Sequence, residues 1–214
     1  DRFDSVSEVN KLFRLAKNEQ YSLIYLFSET KIDETLLSSF NGELVDTKVV
    51  FQKSVLQIDH PLNLNITSHK NKELNSELID LAHLSGEHSR FKNDKNFSNE
   101  DFTNLYNEWL KKSVSGEIAD EVFVYSELNK IIGFITVTIK DTIGSVGLIA
   151  VNQKCQGKKI GTKLLSQVEF FLYTNNIMKL QVPTQRMNKL ACDFYLKNNF
   201  ELISSQPIYH FNIF

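Results

Sequence analysis

The chain reads VGLIAVNQKCQGKKIGT over residues 146–162. The stretch begins as an almost continuous apolar run, which is typical of a strand buried on both faces, and then passes through two glycines. After it, apolar residues recur with the period of one buried helix face; they are Leu164, Leu165, Val168, Phe171 and Leu172. We therefore predict a strand, a glycine loop and an amphipathic helix in direct succession, ending at Asn175 and Asn176.

The loop has a charge pattern that suits a phosphate. A loop that opens a helix presents free backbone N–H groups and the positive end of the helix dipole. Four lysines surround this one, although the whole chain is slightly acidic, with 24 basic and 26 acidic residues; they are Lys154, Lys158, Lys159 and Lys163. A tight turn without a ligand is the alternative, but the local charge favours a phosphorylated ligand. The glycine spacing fits neither a Walker loop nor a Rossmann fingerprint.

The loop resembles the acetyl-CoA motif of the GNAT superfamily of N-acyltransferases, Gln/Arg-x-x-Gly-x-Gly/Ala, with Gln156 first and Gly161 last. Lys159 stands where the middle glycine usually is, which restricts the backbone there. The resemblance implies an α/β (α+β) GNAT fold, with a central, mostly antiparallel, splayed mixed sheet flanked by helices. It also implies that acetyl-CoA contacts Ile149, Ala150, Val151, Gln156, Gly157, Lys158, Lys159, Ile160, Gly161 and Thr162.

A second motif further along the chain agrees with the first. Asn188, Ala191 and Tyr195 share one face of a helix predicted over residues 187–197. GNAT enzymes typically have Asn-x-x-Ala-x-x-x-Tyr here, followed by Gly-Phe and a final strand. This chain has Asn199 before the phenylalanine, and asparagine can adopt the left-handed conformation that glycine normally supplies.

The resemblance implies direct attack of an amine on the acetyl thioester. The departing CoA sulfur then needs a proton, and the phenol of Tyr195, with an ordinary pKa near 10, can supply it; a core aromatic residue is the alternative reading of this tyrosine. Asn188, beside Ala191, would hold the pantetheine arm by amide hydrogen bonds. The charge on the acetyl oxygen needs a backbone N–H within residues 149–151, and the sequence does not choose among these three.

A narrower resemblance covers mainly residues 76–214. The segments Ser89-Arg90-Phe91, Val182-x-Thr184-Gln185 and Tyr209-x-Phe211, with a helix capped by Ser98, look like those of dTDP-fucosamine acetyltransferases. Such enzymes acetylate the 4-amino group of a dTDP-4-amino-4,6-dideoxyhexose for a surface glycan such as the lipopolysaccharide O-antigen. The resemblance implies substrate contacts at Arg90, which can grip a phosphate bidentately, and at Gln185. An ordinary surface ion pair is the alternative for Arg90.

Two other functional hypotheses stay open beside the nucleotide-sugar acetyltransferase. One is a GNAT enzyme acting on a protein N-terminus, a polyamine or an antibiotic. The other is a noncatalytic acyl-CoA-binding module. Cys192 shares the helix face of Tyr195, but no histidine is near in sequence to activate it, so a covalent acyl-cysteine route is disfavoured.

The rest of the chain predicts a two-part organisation. Residues 1–58 predict a small N-terminal α/β domain, residues 59–75 a linker and residues 76–214 the acetyltransferase domain. Ser5 and Glu8 match a capping box at the start of the first helix. Residues 178–182 predict a strand that Pro183 stops, and the apolar C-terminal strand could pair across a homodimer.

The composition of the chain limits the cellular locations and the binding partners that we expect. No signal peptide and no apolar run of about eighteen residues is present, so we expect a cytoplasmic protein without membrane contact, although the sequence begins at Asp1 rather than at methionine. The two cysteines predict reduced thiols, and the five histidines have no ligand spacing, so no metal is expected. The balanced charge argues against nucleic acid as a partner.

Overall fold

The computed structural model describes residues 6–57 and 63–213, without the side chains of Val6 and Glu8. The predicted capping box and part of the predicted linker lie outside the described residues. The helices are α1 (Val6–Asn18), α2 (Glu34–Ser39), α3 (Ser76–Ser85), α4 (Arg90–Asn93), α5 (Asn99–Val114), α6 (Ile160–Thr174) and α7 (Lys189–Lys197), with a 3₁₀ turn over Gln153–Cys155. The strands are β1 (Leu23–Phe27), β2 (Gly42–Ser54), β3 (Ile66–Ser68), β4 (Glu121–Glu127), β5 (Lys130–Lys140), β6 (Ile143–Val151), β7 (Lys179–Gln185) and β8 (Glu201–Asn212).

The described strands form one sheet in the order β1-β8-β2-β7-β6-β5-β4-β3. Neighbouring strands are antiparallel except β6 and β7, which are parallel. The parallel pair is joined by α6, as a crossover connection requires. The predicted α/β class, with a mostly antiparallel mixed sheet and flanking helices, is confirmed.

The parallel pair separates almost as soon as it forms. β6 and β7 are paired only at Gly144 with Leu180 and at Ser145 with Gln181. Beyond these two pairs the strands diverge toward their carboxyl ends, which is the predicted splay. The opening between them is the cleft, and it is bounded by the second half of each strand.

A β-bulge in β6 lies at the start of the cleft. The register with β5 shifts so that Gly147 and Leu148 together oppose Thr136, whose Oγ1 accepts a hydrogen bond from the Leu148 N–H at 2.9 Å. The extra residue moves the following side chains to the other face of the sheet. Val146 is buried under α6, whereas Leu148, two residues later, is buried under α3 and α5.

Helices cover the two faces of the sheet in separate layers. On the back face, α6 and α7 pack on β5, β6 and β7 through a cluster that includes Leu164, Leu165, Val168, Leu172 and Val182. On the front face, α3 and α5 pack on β4, β5 and β6 through a cluster that includes Leu78, Phe102, Leu110, Phe134 and Leu148. The apolar face predicted for α6 is therefore confirmed, and it faces the back of the sheet.

The N-terminal residues contribute to the same sheet. β2 lies between β7 and β8 and is antiparallel to both. The strand Ile66–Ser68, inside the predicted linker, pairs with β4. The division of the chain into two domains stays a prediction, and strands from both sides of it share one sheet.

Two local predictions about strands are wrong. Pro183 does not stop β7, which continues to Gln185; a proline fits a strand where its missing N–H would face an unpaired edge, and the pairing with β6 has ended at Gln181. The C-terminal strand is not free to pair across a dimer, because residues 208–211 of β8 are paired with β1 on one side and β2 on the other.

Predictions of caps and turns are confirmed. Ser98 and Asp101 form a capping box at the start of α5. Asn199 has a φ of 64°, the left-handed conformation expected after α7. Asn175 ends α6, and Asn176 follows it with a φ of 59°.

Candidate functional site

The backbone of β6 presents unpaired groups to the cleft. The Asn152 N–H donates to the Ile132 carbonyl of β5 at 2.8 Å, and Ala150 pairs with Phe134 two residues along the same ladder. In an antiparallel ladder the residues that exchange hydrogen bonds alternate with those that point away. The N–H of Ala150 therefore faces β5, whereas those of Ile149 and Val151 face the cleft, where β7 has already diverged.

The loop after β6 ends in a helix start without a side-chain cap. Gly157 has a φ of +80° and Lys159 a φ of +59°, so two residues of the loop are left-handed. Lys159 is the N-cap of α6, and its side chain makes no capping hydrogen bond. The N–H groups of the first turn, at Ile160, Gly161 and Thr162, are thus available to an anion.

Side-chain contacts hold this loop against its neighbours. The Gln156 Nε2 donates to the Val151 carbonyl at 3.3 Å, which ties the loop to the end of β6. Gly161 packs against α7, because a Cβ atom there would lie 3.0 Å from Cζ of Phe194. The last glycine of the motif therefore allows α6 and α7 to approach closely.

The lysines of the loop differ in their availability. Lys154, Lys158 and Lys159 are exposed. Lys163 is half-buried, and its Nζ lies 3.4 Å from the Tyr125 hydroxyl and 5.2 Å from the centre of that ring. Three lysines of the predicted cationic group can therefore meet a phosphate, while the fourth is engaged by β4.

The side-chain oxygen of Asn188 makes a hydrogen bond within the protein. It is the N-cap of α7, and its Oδ1 accepts a hydrogen bond from the Ala191 N–H at 3.0 Å. The helix begins at Lys189, two residues later than predicted. The amide NH₂ group of Asn188 is then the part that can donate to a ligand.

Tyr195 is buried among aromatic side chains. Its ring centre lies 5.6 Å from that of Phe51, 5.3 Å from that of Phe194 and 5.6 Å from that of Phe200. Burial raises the pKa of Tyr195 above its ordinary value, so the hydroxyl is protonated at neutral pH. Ile149, Val151, Ile160 and Ala191 belong to the same back-face cluster or pack against it. These four predicted cofactor residues and Tyr195 therefore share one apolar cluster.

The Cys192 thiol on the same helix is a weak nucleophile. Burial raises the pKa of Cys192, and its Sγ lies 3.7 Å from the Gln185 carbonyl oxygen. The thiolate is the reactive form of cysteine, so its population is reduced at neutral pH. This agrees with the sequence analysis, in which a covalent acyl-cysteine route is disfavoured.

Arg90 packs among aromatic side chains near β1, the edge strand of the sheet. Its guanidinium is 4.4 Å from the ring centre of Phe91 and 5.4 and 5.7 Å from those of Tyr25 and Phe27 on β1. β1 is three strands from β7, which corresponds to about 14 Å across a sheet. Arg90 is therefore not grouped with the predicted acetyl-CoA residues.

A buried polar cluster surrounds Arg90. His210 on β8 contacts the Asp94 carboxylate, and both side chains are almost fully buried. Burial, together with the Asp94 carboxylate, raises the pKa of Tyr25 to about 12, and burial lowers the pKa of His210 despite Asp94. Asp46 on β2 is also buried, and its pKa is raised by burial. Nothing in the sequence could have linked these residues, which lie on segments far apart in the chain.

A row of polar side chains crosses the front face beside the cleft. Val49 and Phe51 of β2 point into the back-face cluster, so Lys48, the residue before Val49, points to the front. Lys48 is paired with Gln185 of β7 and Gln206 of β8. Lys48 is exposed and the two glutamines are half-buried. The predicted substrate residue Gln185 therefore belongs to this row, and Lys48 is the cation that the sequence reading missed.

The family comparison agrees with this geometry. Residues 119–202, which include the bulged strand, the loop, α6, β7 and α7, match the family model described as "Acetyltransferase (GNAT) domain". These residues are therefore similar to a GNAT acetyltransferase domain. A search of curated protein sequences finds no match.

Solved structures share the GNAT fold over most of the chain. A functionally unknown conserved protein from Staphylococcus epidermidis has a TM-score of 0.66 at 11% identity, covering 98% of this chain and 80% of its own. A GCN5-related N-acetyltransferase from Sphaerobacter thermophilus has a TM-score of 0.59 at 12% identity, covering 99% and 70%. The paiA N-acetyltransferase from Thermoplasma acidophilum, in complex with coenzyme A, has a TM-score of 0.50 at 20% identity, covering 70% and 99%. At these identities the likeness is one of fold.

The match over residues 119–202 supports an N-acetyltransferase with acetyl-CoA as its cosubstrate. The residues present fit this cosubstrate, since the uncapped start of α6 and three exposed lysines suit its phosphates. Within the described part of the chain, no group of three or more His, Cys, Asp or Glu side chains could hold a metal ion. In the same part, no helix is long and apolar enough to cross a bilayer.

Proposed function

We propose that this chain transfers an acetyl group from acetyl-CoA to the 4-amino group of a dTDP-4-amino-4,6-dideoxyhexose. One observation carries the acetyl-transfer step: the N–H groups of Ile149 and Val151 point into the cleft at the end of a strand that leads to the uncapped start of α6. The thioester of acetyl-CoA would contact these backbone N–H donors in the cleft, and the diphosphate of the same molecule would contact the start of α6.

The donor half of the site binds acetyl-CoA in an extended form. The first turn of α6, with Lys158 and Lys159, holds the diphosphate. The free NH₂ group of Asn188 donates to a pantetheine carbonyl. The acetyl oxygen accepts a hydrogen bond from the N–H of Ile149 or Val151, which stabilises the negative charge of the tetrahedral intermediate.

The chemical step is a direct attack by the acceptor amine. The nitrogen bonds to the thioester carbon, the carbon–sulfur bond breaks as the intermediate collapses, and the amine proton passes to solvent. The Tyr195 hydroxyl donates to the departing sulfur and returns to its protonated form from solvent. Because its pKa is raised by burial, Tyr195 is present as the donor form throughout the neutral range.

The acceptor half lies on the front face, beside β7. Lys48, with Gln185 and Gln206 on either side, offers one cation and two amide groups for a nucleotide diphosphate. Arg90 stays a proposed phosphate contact beside this row, since its charge acts on the pKa of Asp46, two residues before Lys48 on β2. The resemblance of residues 76–214 to sugar-nucleotide acetyltransferases supports the same acceptor.

A second candidate acceptor is a polyamine. A pocket of about 570 Å³ lies between α3, α5 and the turn after β6. Three carboxylates line it, Glu77, Asp80 and Glu87, together with Lys92 and Lys154. The excess of one negative charge favours a cationic ligand there. One activity assay distinguishes the two candidate acceptors.

The assay measures release of CoA thiol from acetyl-CoA in the presence of one amine at a time. A dTDP-4-amino-4,6-dideoxyhexose, spermidine and a peptide with a free N-terminus are compared. Turnover with the nucleotide sugar alone is the expected result, turnover with spermidine or the peptide alone would replace it, and acetyl-CoA binding without turnover would favour a noncatalytic module.

Tyr195→Phe tests the proposed donor. We expect kcat to fall with little change in acetyl-CoA affinity, because the hydroxyl acts late in the reaction. Tyr173→Phe on α6 is the control, since Tyr173 is half-buried and outside the proposed site. Equal effects of the two variants would contradict the assignment.

The two unpaired cysteines support our proposal of a reducing, cytoplasmic location. We do not extend the proposal to a homodimer, because both edges of β8 are paired within the chain over residues 208–211.

A further inference from the structure

The chain has one tryptophan, and it lies where β6 leaves β7. Trp109 is on α5, in the front layer. Its Nε1 is 3.7 Å from the position that a Cβ atom on Gly147 would occupy. Gly147 is the exposed residue of the bulge, two residues after Ser145, the last residue that β6 pairs with β7. The indole N–H edge is therefore next to the opening of the cleft on the front face.

The gap beside this indole depends on the missing side chain at Gly147. A Cβ atom there would lie 2.8 Å from Thr136 Oγ1, and that hydroxyl is occupied by the Leu148 N–H. Any larger residue would displace this contact and fill the space in front of the indole. The bulge and the glycine together keep the strand open toward Trp109.

The indole is held in place by its own helix. The Trp109 ring centre lies 5.7 Å from that of Tyr106, one turn earlier on α5. Tyr106 is itself buried beneath Gly86, where a Cβ atom would lie 2.3 Å from its ring. Trp109 is half-buried, so one part of the ring is fixed by packing and another part stays accessible.

The two faces of the sheet separate the two substrates. The residues proposed for acetyl-CoA, on α6 and α7, lie at the back face. Trp109 and the row of Lys48 and Gln185 lie at the front, so an amine that reaches the thioester from the front passes the indole. An indole offers a flat apolar surface and one N–H donor. That combination suits a pyranose, whose ring C–H groups contact the surface and whose hydroxyl accepts from the N–H.

We propose that Trp109 positions the acceptor and that it selects a cyclic amino sugar over a linear amine. The inference rests on the proposed acetyl transfer and specifies the acceptor class for it. It assigns no proton transfer to Trp109, which acts by holding the ring of the acceptor while the amine attacks.

The test uses Trp109→Phe, which keeps an aromatic ring and removes the N–H, and Leu105→Ala on the same helix as a control. We expect Trp109→Phe to raise the KM for dTDP-4-amino-4,6-dideoxyhexose by about tenfold, the effect of one lost hydrogen bond, with the KM for acetyl-CoA unchanged. A change confined to the KM for acetyl-CoA, or no change in either, would overturn the inference.

Binding is measured separately by the emission of the wild-type protein, which reports on Trp109 alone because no other tryptophan is present. The amino sugar nucleotide should shift or quench the emission in a saturable way, and spermidine should not. No response to the sugar nucleotide would overturn the inference even if no amine is turned over. Turnover of spermidine with an emission response to spermidine would overturn the selectivity for a ring while leaving acetyl transfer intact.

Discussion

Replacing one backbone amide of β6 with an ester tests which N–H stabilises the acetyl oxygen. An α-hydroxy acid at position 149 or 151 removes only that N–H and leaves the side chain unchanged. The two N–H groups point into the cleft, whereas that of Ala150 lies in the ladder with β5. The ester at position 150 is therefore the matched control.

The expected magnitudes differ between kcat and stability. Loss of one oxyanion donor lowers kcat by about 10²–10³, so one of the two cleft-facing esters should have this effect while the melting temperature changes little. The ester at Ala150 should lose one ladder hydrogen bond, about 0.5–1.5 kcal/mol. For a chain of this size that loss lowers the melting temperature by about 1–6 °C.

Two assays separate these outcomes. Thiol release at saturating acetyl-CoA gives kcat, and circular dichroism during heating gives the melting temperature. If neither cleft-facing ester lowers kcat, or if the Ala150 ester lowers it equally, the proposed direction of these amides is refuted. A large loss of stability at position 149 or 151 would show that the N–H belongs to the ladder.

Gly144→Ala should lower the free energy of unfolding by about 1–3 kcal/mol, because its Cβ would lie 2.4 Å from Cδ1 of the fully buried Leu172; strictly additive effects of Gly144→Ala and Leu172→Ala in urea unfolding would argue against this contact. Gly157→Ala should cost about 1–2 kcal/mol from backbone strain alone, since φ is +80° and an added Cβ meets no atom within 4 Å. Lys159→Gly, at φ +59°, should be neutral or stabilising, and thermal shifts of equal size and sign in both variants would disprove the strain argument. Burial lowers the pKa of His210, so the fold favours its neutral form, and stability should be full above the unfolded pKa near 6.5 and decrease as the pH falls through that value. Melting temperatures between pH 8 and pH 5 should fall less steeply for His210→Gln, and parallel curves would exclude His210 as the cause.

The elements that the sequence determined by itself are those built from near neighbours in the chain. The apolar strand, the glycine loop and the periodic face of α6 were predictable over residues 146–174, and so were the cap at Ser98 and the left-handed Asn199. Hydrogen bonds in helices, caps and turns join residues a few positions apart. Their residue preferences are therefore legible in a short window of sequence.

The tertiary structure decided the features that depend on pairing between distant segments. The bulge at Gly147 and the ladder with β5 select which amides face the cleft, and the early end of the β6–β7 pairing allows Pro183 inside a strand. The packing of Arg90 on the rings of Tyr25 and Phe27 of β1 is another such long-range contact. Strand register and the packing of one layer on another join residues far apart in the chain. A single sequence holds no local signal for such contacts. The positions of Lys48 and Trp109 beside the cleft therefore follow from the tertiary structure and not from the sequence.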